Sequence, residues 1–145
     1  MSTENKEIIR RLIDEVWNQR EIHVLDEIIA ADAFIHSPTV PNLSRGPEGA
    51  KQYVQLFCAA FPDLRVTTDD LVAEGDKVAL RWSASGTHKG KLLGIEPTGK
   101  PMTITGQAIY TIVRGKITED WINADTMGML QQLGIVPQLH TRSFC

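Results

Sequence analysis

The spacing of apolar residues changes character near residue 64. Before it the period is close to 3.6. Residues 5–18, "NKEIIRRLIDEVWN", put Ile8, Ile9, Leu12, Val16 and Trp17 on one helical face. A short second helix is predicted at about 22–30 from Leu25, Ile28 and Ile29. "AFIHSPTVPNLSRG" then reads as a brief extended piece and a loop with two prolines. A third helix opens at Gly46-Pro47-Glu48 and carries Ala50, Tyr53, Val54, Phe57, Ala60 and Phe61 on one face. Pro62 ends it, because the residue before a proline is driven out of the helical region.

Beyond residue 64 the period is two. In "VALRWSASG", Val78, Leu80, Trp82 and Ala84 share a face. In "MTITGQAIYTIV", Met102, Ile104, Gly106, Ala108, Tyr110 and Ile112 share one face. Thr103, Thr105, Gln107, Ile109, Thr111 and Val113 share the other. "EGD" at 74–76 and "RG" at 114–115 are turns, and "KITEDWINA" is the return strand. A last helix begins at about Thr126 and stops at Gly134. Three helices, antiparallel strands and a closing helix give an α+β class, with helices on one face of a curved sheet.

Size and charge narrow the field. A chain of 145 residues is most simply one domain, here 1–135 with a tail at 136–145, able to bury roughly two thirds of its unfolded surface. A net charge of −3 with no basic face argues against a nucleic-acid partner. No apolar run reaches the ~20 residues of a membrane span, and "MSTENKEIIRR" lacks a signal-peptide core, so the expected location is cytoplasmic. Cys58 lies in an apolar helical pattern and reads as a buried small hydrophobe. No Cys/His spacing suggests a metal site.

The inner face of the sheet holds two small residues mid-strand, Gly106 and Ala108. They leave space that Tyr110, Trp82, Trp17, Tyr53 and Phe57 can surround as the wall of an apolar cavity. The competing reading is that Trp17 or Phe57 fills the gap as ordinary core. Three acids sit near the end of the chain. Asp125 precedes the last helix and suits an N-cap. Asp120 shares parity with Ile122 and is either a solvated strand residue or a cavity acid/base near Tyr110. Glu119 has the opposite parity and can pair with Arg81 outside. His36, in "FIHSP", lies where the extended piece enters the cavity mouth and is the other acid/base candidate. His88, in "GTHKG", either pins its loop or rims the cavity. His23 and His140 lack supporting context, and Gln107 points away.

Taken together, "EIIRRLIDEVWN", "RGPEG", "FPDLRV", "EGDKVALRW", "GTHKGKLLGIEPTGK", "RGKITEDW" and "DTMGMLQQLG" resemble the SnoaL-like polyketide cyclases, within the nuclear-transport-factor-2-like superfamily. The resemblance runs over roughly residues 5–134. It implies a cone-shaped barrel, a curved antiparallel sheet packed on three N-terminal helices with a short C-terminal one. It also implies homo-oligomers, expected as homodimers or higher homo-oligomers, joined through the outer sheet face, where Thr105, Gln107, Ile109, Thr111 and Val113 lie. The characterised cyclases close a ring of an aromatic polyketide by an intramolecular aldol reaction, without metal or cofactor. By the resemblance, their catalytic aspartate and its histidine partner fall at Ile122 and Ala108 here, neither of which moves a proton. The fold therefore carries over more securely than the reaction.

Three readings follow. One is a cyclase- or isomerase-type enzyme acting on an apolar carbonyl compound, with Asp120 and His36 as acid/base groups and Trp17, Tyr53, Phe57, Trp82, His88, Ala108, Tyr110 and Ile122 around the ligand. Another is a non-catalytic module of the same fold that holds an apolar small molecule. The third, an epoxide hydrolase, wants clustered acids and an arginine inside the cone, against which the apolar inner face speaks.

Overall fold

The computed structural model describes residues 2–137. Helix α1 (Ser2–Arg11) continues into a π-helical stretch, Leu12–Asn18. There the Gln19 amide donates to the Asp14 carbonyl five residues back, at 3.0 Å. A 3-10 turn, Ile22–Val24, leads into the short α2 (Leu25–Ile28). Strand β1 (Ile29–His36) follows, then α3 (Pro47–Ala60), β2 (Arg65–Glu74), β3 (Lys77–Thr87), β4 (Pro101–Val113), β5 (Lys116–Ala124) and α4 (Thr126–Gln132).

The five strands form one open sheet in the order β1-β5-β4-β3-β2. The helices pack on its concave face, and the architecture is the α+β cone expected from the resemblance. Alternation sets the core: Val78, Leu80 and Ala84 of β3 and Met102, Ile104, Ala108, Tyr110 and Ile112 of β4 are buried. They meet Ile9, Leu12, Ile13 and Val16 from the first helix and Tyr53 and Val54 from α3. Asp125 caps α4 as expected, its Oδ1 accepting from the Gly128 amide at 3.0 Å.

Two expectations need correction. The second helix does not run to residue 30. It ends at Ile28, and the extended piece is a full eight-residue strand. Ala30, Ala31 and Ala33 favour helix by intrinsic propensity, but pairing along β5 overrides it. The sheet is also not wholly antiparallel, because β1 runs parallel to β5. Local periodicity cannot reveal such a pairing. The tail expected at 136–145 lies, apart from Val136 and Pro137, outside the described residues.

Candidate functional site

Between the helices and the sheet lies a cavity of about 100 Å³. Trp17, Tyr53, Phe57, Trp82, Ala108, Tyr110, Asp120 and Ile122 all line it. The helix side is an aromatic wall. Tyr53 and Phe57 stand one turn apart on α3 with ring centroids 5.0 Å apart, and Trp17 meets Tyr53 edge-on at 6.0 Å. Among the described residues no Lys, Arg or His lines the cavity.

The acid in this apolar room is Asp120. A bulge puts it there. Thr111 pairs with Glu119 and Ile112 with Ile117, so Thr118 is the extra residue of β5. Without it, Ile117 and Asp120, three positions apart, would face opposite sides of the sheet. With it both face the cone, and both are buried. Asp120 stands directly across from Tyr110 on β4 and beside Ile35 on β1.

Its Oδ1 is buried and has no hydrogen-bond partner among the described residues. Burial pushes the Asp120 carboxyl well above the usual carboxylate range, since an apolar surrounding penalises the charged form. Tyr53 and Tyr110 are pushed up too, first by burial and then by the nearby Asp120 charge. Ser37 opposes this at Tyr53 through a hydrogen bond. The cavity thus has a polar end, where the Asp120 carboxyl and the Tyr53 and Tyr110 phenols gather; Thr39 and Thr126, their hydroxyls 2.9 Å apart, also line it, and the other walls are mostly apolar.

The glycine gap is filled differently from either expectation. Trp82 pairs across the strands with Gly106, and its indole lies over that residue. A Cβ at position 106 would stand 2.6 Å from the Trp82 Cε2 and 2.9 Å from the Asn123 carbonyl oxygen. Gly106 is therefore the seat of an aromatic ring and leaves no open space of its own. On the sheet side the cavity is lined by Ala84, Met102 and Ile104 as well as by Ala108, Tyr110 and Asp120.

His36 does not meet Asp120. It belongs to β1, where Ile35 turns into the cavity and the next residue turns out. On the outer face its ring stacks between Phe34 and Trp121, with centroids 4.2 and 3.6 Å away. Its Nε2 lies 2.8 Å from Glu119 Oε2. That hydrogen bond is the main reason the Glu119 carboxyl sits below its ordinary range. The expected Glu119–Arg81 pair is absent: Arg81 binds Asp70 at 2.8 Å instead, on the far strand β2.

His88 also stays out of the cavity lining. It is fully buried beside Phe61, and its Nδ1 accepts from the Thr98 amide at 3.2 Å. The acceptor role fixes the proton on Nε2, which has no partner among the described residues. Backbone bonds to Lys100 and Gly99 complete the clamp on the 88–100 loop. Cys58 is only half-buried, less enclosed than its pattern suggested. Sequence reasoning missed Ser37 and the bulge at Thr118. Neither carries a local signal, since both depend on which strand lies alongside.

Ala108 and Ile122, the positions the resemblance assigned to a histidine and an aspartate, are direct cross-strand partners. Tyr110 and Asp120 are the next inward-facing pair along the same two strands.

The chain belongs to the SnoaL-like polyketide cyclase family, whose model matches residues 7–133. Among solved structures, it is similar to IdmH of Streptomyces antibioticus, proposed to be a polyketide cyclase. The identity is 36% over 90% of this chain and 98% of that one, with a TM-score of 0.78. It is also similar to TsrD of Streptomyces laurentii, at 28% identity over 92% and 97% of the two chains and a TM-score of 0.84. AclR of Streptomyces galilaeus shares the fold at 24% identity, covering 99% of this chain and 93% of its own, with a TM-score of 0.85. No curated protein matches the chain.

Proposed function

We propose that this protein is an acid/base enzyme of the cyclase or isomerase type, acting on an apolar carbonyl compound with Asp120 as its proton-handling group. One observation carries the reading: a carboxyl with a buried, unpartnered oxygen faces an otherwise apolar cavity. A polar atom left unpaired in the interior costs on the order of 1–3 kcal/mol, a cost with a use if a ligand supplies the missing partner. In its protonated form, which burial favours, a carboxyl is both acid and base. One oxygen gives its proton to the carbonyl oxygen of the substrate while the other takes the proton from the adjacent carbon. The ketone becomes an enol and the carboxyl ends as it began. The Tyr53 and Tyr110 hydroxyls supply further donors for the oxygen on which charge develops. Attack of the enol carbon on a second carbonyl would turn this step into a ring closure.

Deuterium exchange next to the carbonyl of cyclohexanone in D2O, followed by NMR, tests the proposal. The wild type should exceed the buffer rate, and Asp120→Asn should return it to the buffer rate. Equal rates in the two proteins would remove Asp120 from the chemistry.

The second reading, a non-catalytic binding module, is favoured by the apolar pair Ala108 and Ile122. It predicts that the ketone binds without exchange. For either reading, a homodimer through the outer sheet face is proposed from the exposure there of Phe34, Ile109, Val113 and Trp121. Among the described residues no helix is long and apolar enough to cross a membrane, and a cytoplasmic location is proposed on the composition.

A further inference from the structure

We infer that Trp82, seated on Gly106, sets the size of the compound the cavity takes, and that this compound is an uncharged ketone of about one six-membered ring. The placing of its carbonyl rests on the acid/base reading of Asp120; the size limit stands on the cavity alone.

Size comes first. The cavity is about 100 Å³. Apolar cavities of about 150 Å³ hold a benzene, whereas pockets for larger ligands run to roughly 300–1,000 Å³. A single unsubstituted six-membered ring is the most that such a volume takes, and the several fused rings of an aromatic polyketide exceed it. The small residues of β4 are matched by large ones on β3: Gly106 faces Trp82 and Ala108 faces Leu80. Gly106 would open a groove in the floor of the sheet, and the indole occupies it. Trp82 is half-buried and lines the cavity, so the space its ring takes is lost to a ligand.

Charge comes second. Among the described residues no cation lines the cavity, so an anionic substrate would be buried without a partner and beside an acid. The Thr39 and Thr126 hydroxyls in the lining bond each other, and the other side-chain hydroxyls and the carboxyl gather together: Asp120, Tyr53 and Tyr110. They suit one acceptor oxygen on an otherwise apolar body. A carbonyl oxygen meets that description, and a carboxylate does not.

The test uses cyclohexanone, 2-tetralone, a tricyclic ketone and 4-oxocyclohexanecarboxylate, with binding and exchange measured separately by NMR. The wild type should bind cyclohexanone and discriminate by about tenfold or more against the tricyclic ketone and the carboxylate. Trp82→Ala should shift the preference toward the larger ketones by a similar factor. Trp82→Phe, which keeps a ring over Gly106, should shift it part of the way and covers the case in which the alanine variant fails to fold. Wild-type binding of the tricyclic ketone as tight as that of cyclohexanone would overturn the inference. So would no binding of cyclohexanone, or an unchanged preference in Trp82→Phe. Size-dependent binding that follows Trp82, with no exchange of any ketone, would remove the acid/base reading and leave the role of Trp82 intact. Exchange that ignores ring size would do the reverse.

Discussion

Asp120 stands directly opposite Tyr110 across β4 and β5, both side chains are buried, and the Asp120 Oδ1 has no hydrogen-bond partner among the described residues. This fixes a sign for the pH dependence of stability. The folded pKa of Asp120 is raised by burial above its unfolded value of about 3.9. The folded state therefore holds this proton more tightly. The resulting stability is fully present below the unfolded pKa and is lost as pH rises to the folded one. Asp120→Asn has no such proton. Its stability relative to wild type should grow from about pH 4 upward, by at most about 1.4 kcal/mol per pH unit. Urea denaturation of both proteins across pH 4–8 checks this; a constant difference would mean the carboxyl is not desolvated in solution.

The strands could be read from the sequence because β3 and β4 bury one face and expose the other, which leaves an alternating record in residues 78–84 and 102–112. The Asp125 cap was legible for a similar reason: the acid, the helix and the free amide it binds are neighbours in sequence. The site was only half legible. Parity with Ile122 places Asp120 inward, and the aromatic wall follows from helix spacing. The position of His36 did not follow, because its outward direction depends on β1 joining the sheet beside β5, a contact over 83 positions. Trp82 over Gly106 is likewise a register fact. The small residue is visible in the sequence, and what sits on it is not.

The outer face yields a prediction that separates His36 from Asp120. In the stack of Phe34, His36 and Trp121, with the Arg45 guanidinium 4.3 Å over the Phe34 ring, Phe34 reaches the cavity lining while His36 and Trp121 stay out of it. Trp121 is 52% exposed, and its cross-strand partner Ile109 is 50% exposed. Trp121→Lys should weaken self-association, read by sedimentation velocity as a shift toward monomer. His36→Ala should leave ketone exchange at the wild-type rate. Loss of exchange in His36→Ala with an unchanged sedimentation profile would bring the histidine back into the chemistry.

His88 should prove structural. His88→Ala removes a fully buried ring and the acceptor for the Thr98 amide. The expected loss is on the order of 2–4 kcal/mol, from the cavity left behind and the lost hydrogen bonds. Hydrogen exchange should quicken first at Thr98 and Gly99, whose amides bond to His88. Cyclohexanone binding by the folded fraction should not change, because the ring does not line the cavity. Selective loss of binding at full stability would place His88 at the ligand after all.

Trp82 and Gly106 should behave as a single unit. Gly106→Ala puts a methyl group into the space of the indole and close to the Asn123 carbonyl, so it should destabilise by about 1–3 kcal/mol through overpacking. Trp82→Ala should cost about 3–5 kcal/mol, since it removes a large ring from the cavity wall. Residues in direct contact do not add. Once the indole is gone, the methyl at 106 has room on that side, and only the carbonyl contact remains. The double variant should therefore be more stable than the sum of the two losses implies, with a coupling of about 0.5–3 kcal/mol. Urea denaturation of the four proteins gives that coupling directly. A value indistinguishable from zero would mean that the indole does not rest on Gly106, and Trp82 would then have no seat from which to limit the cavity.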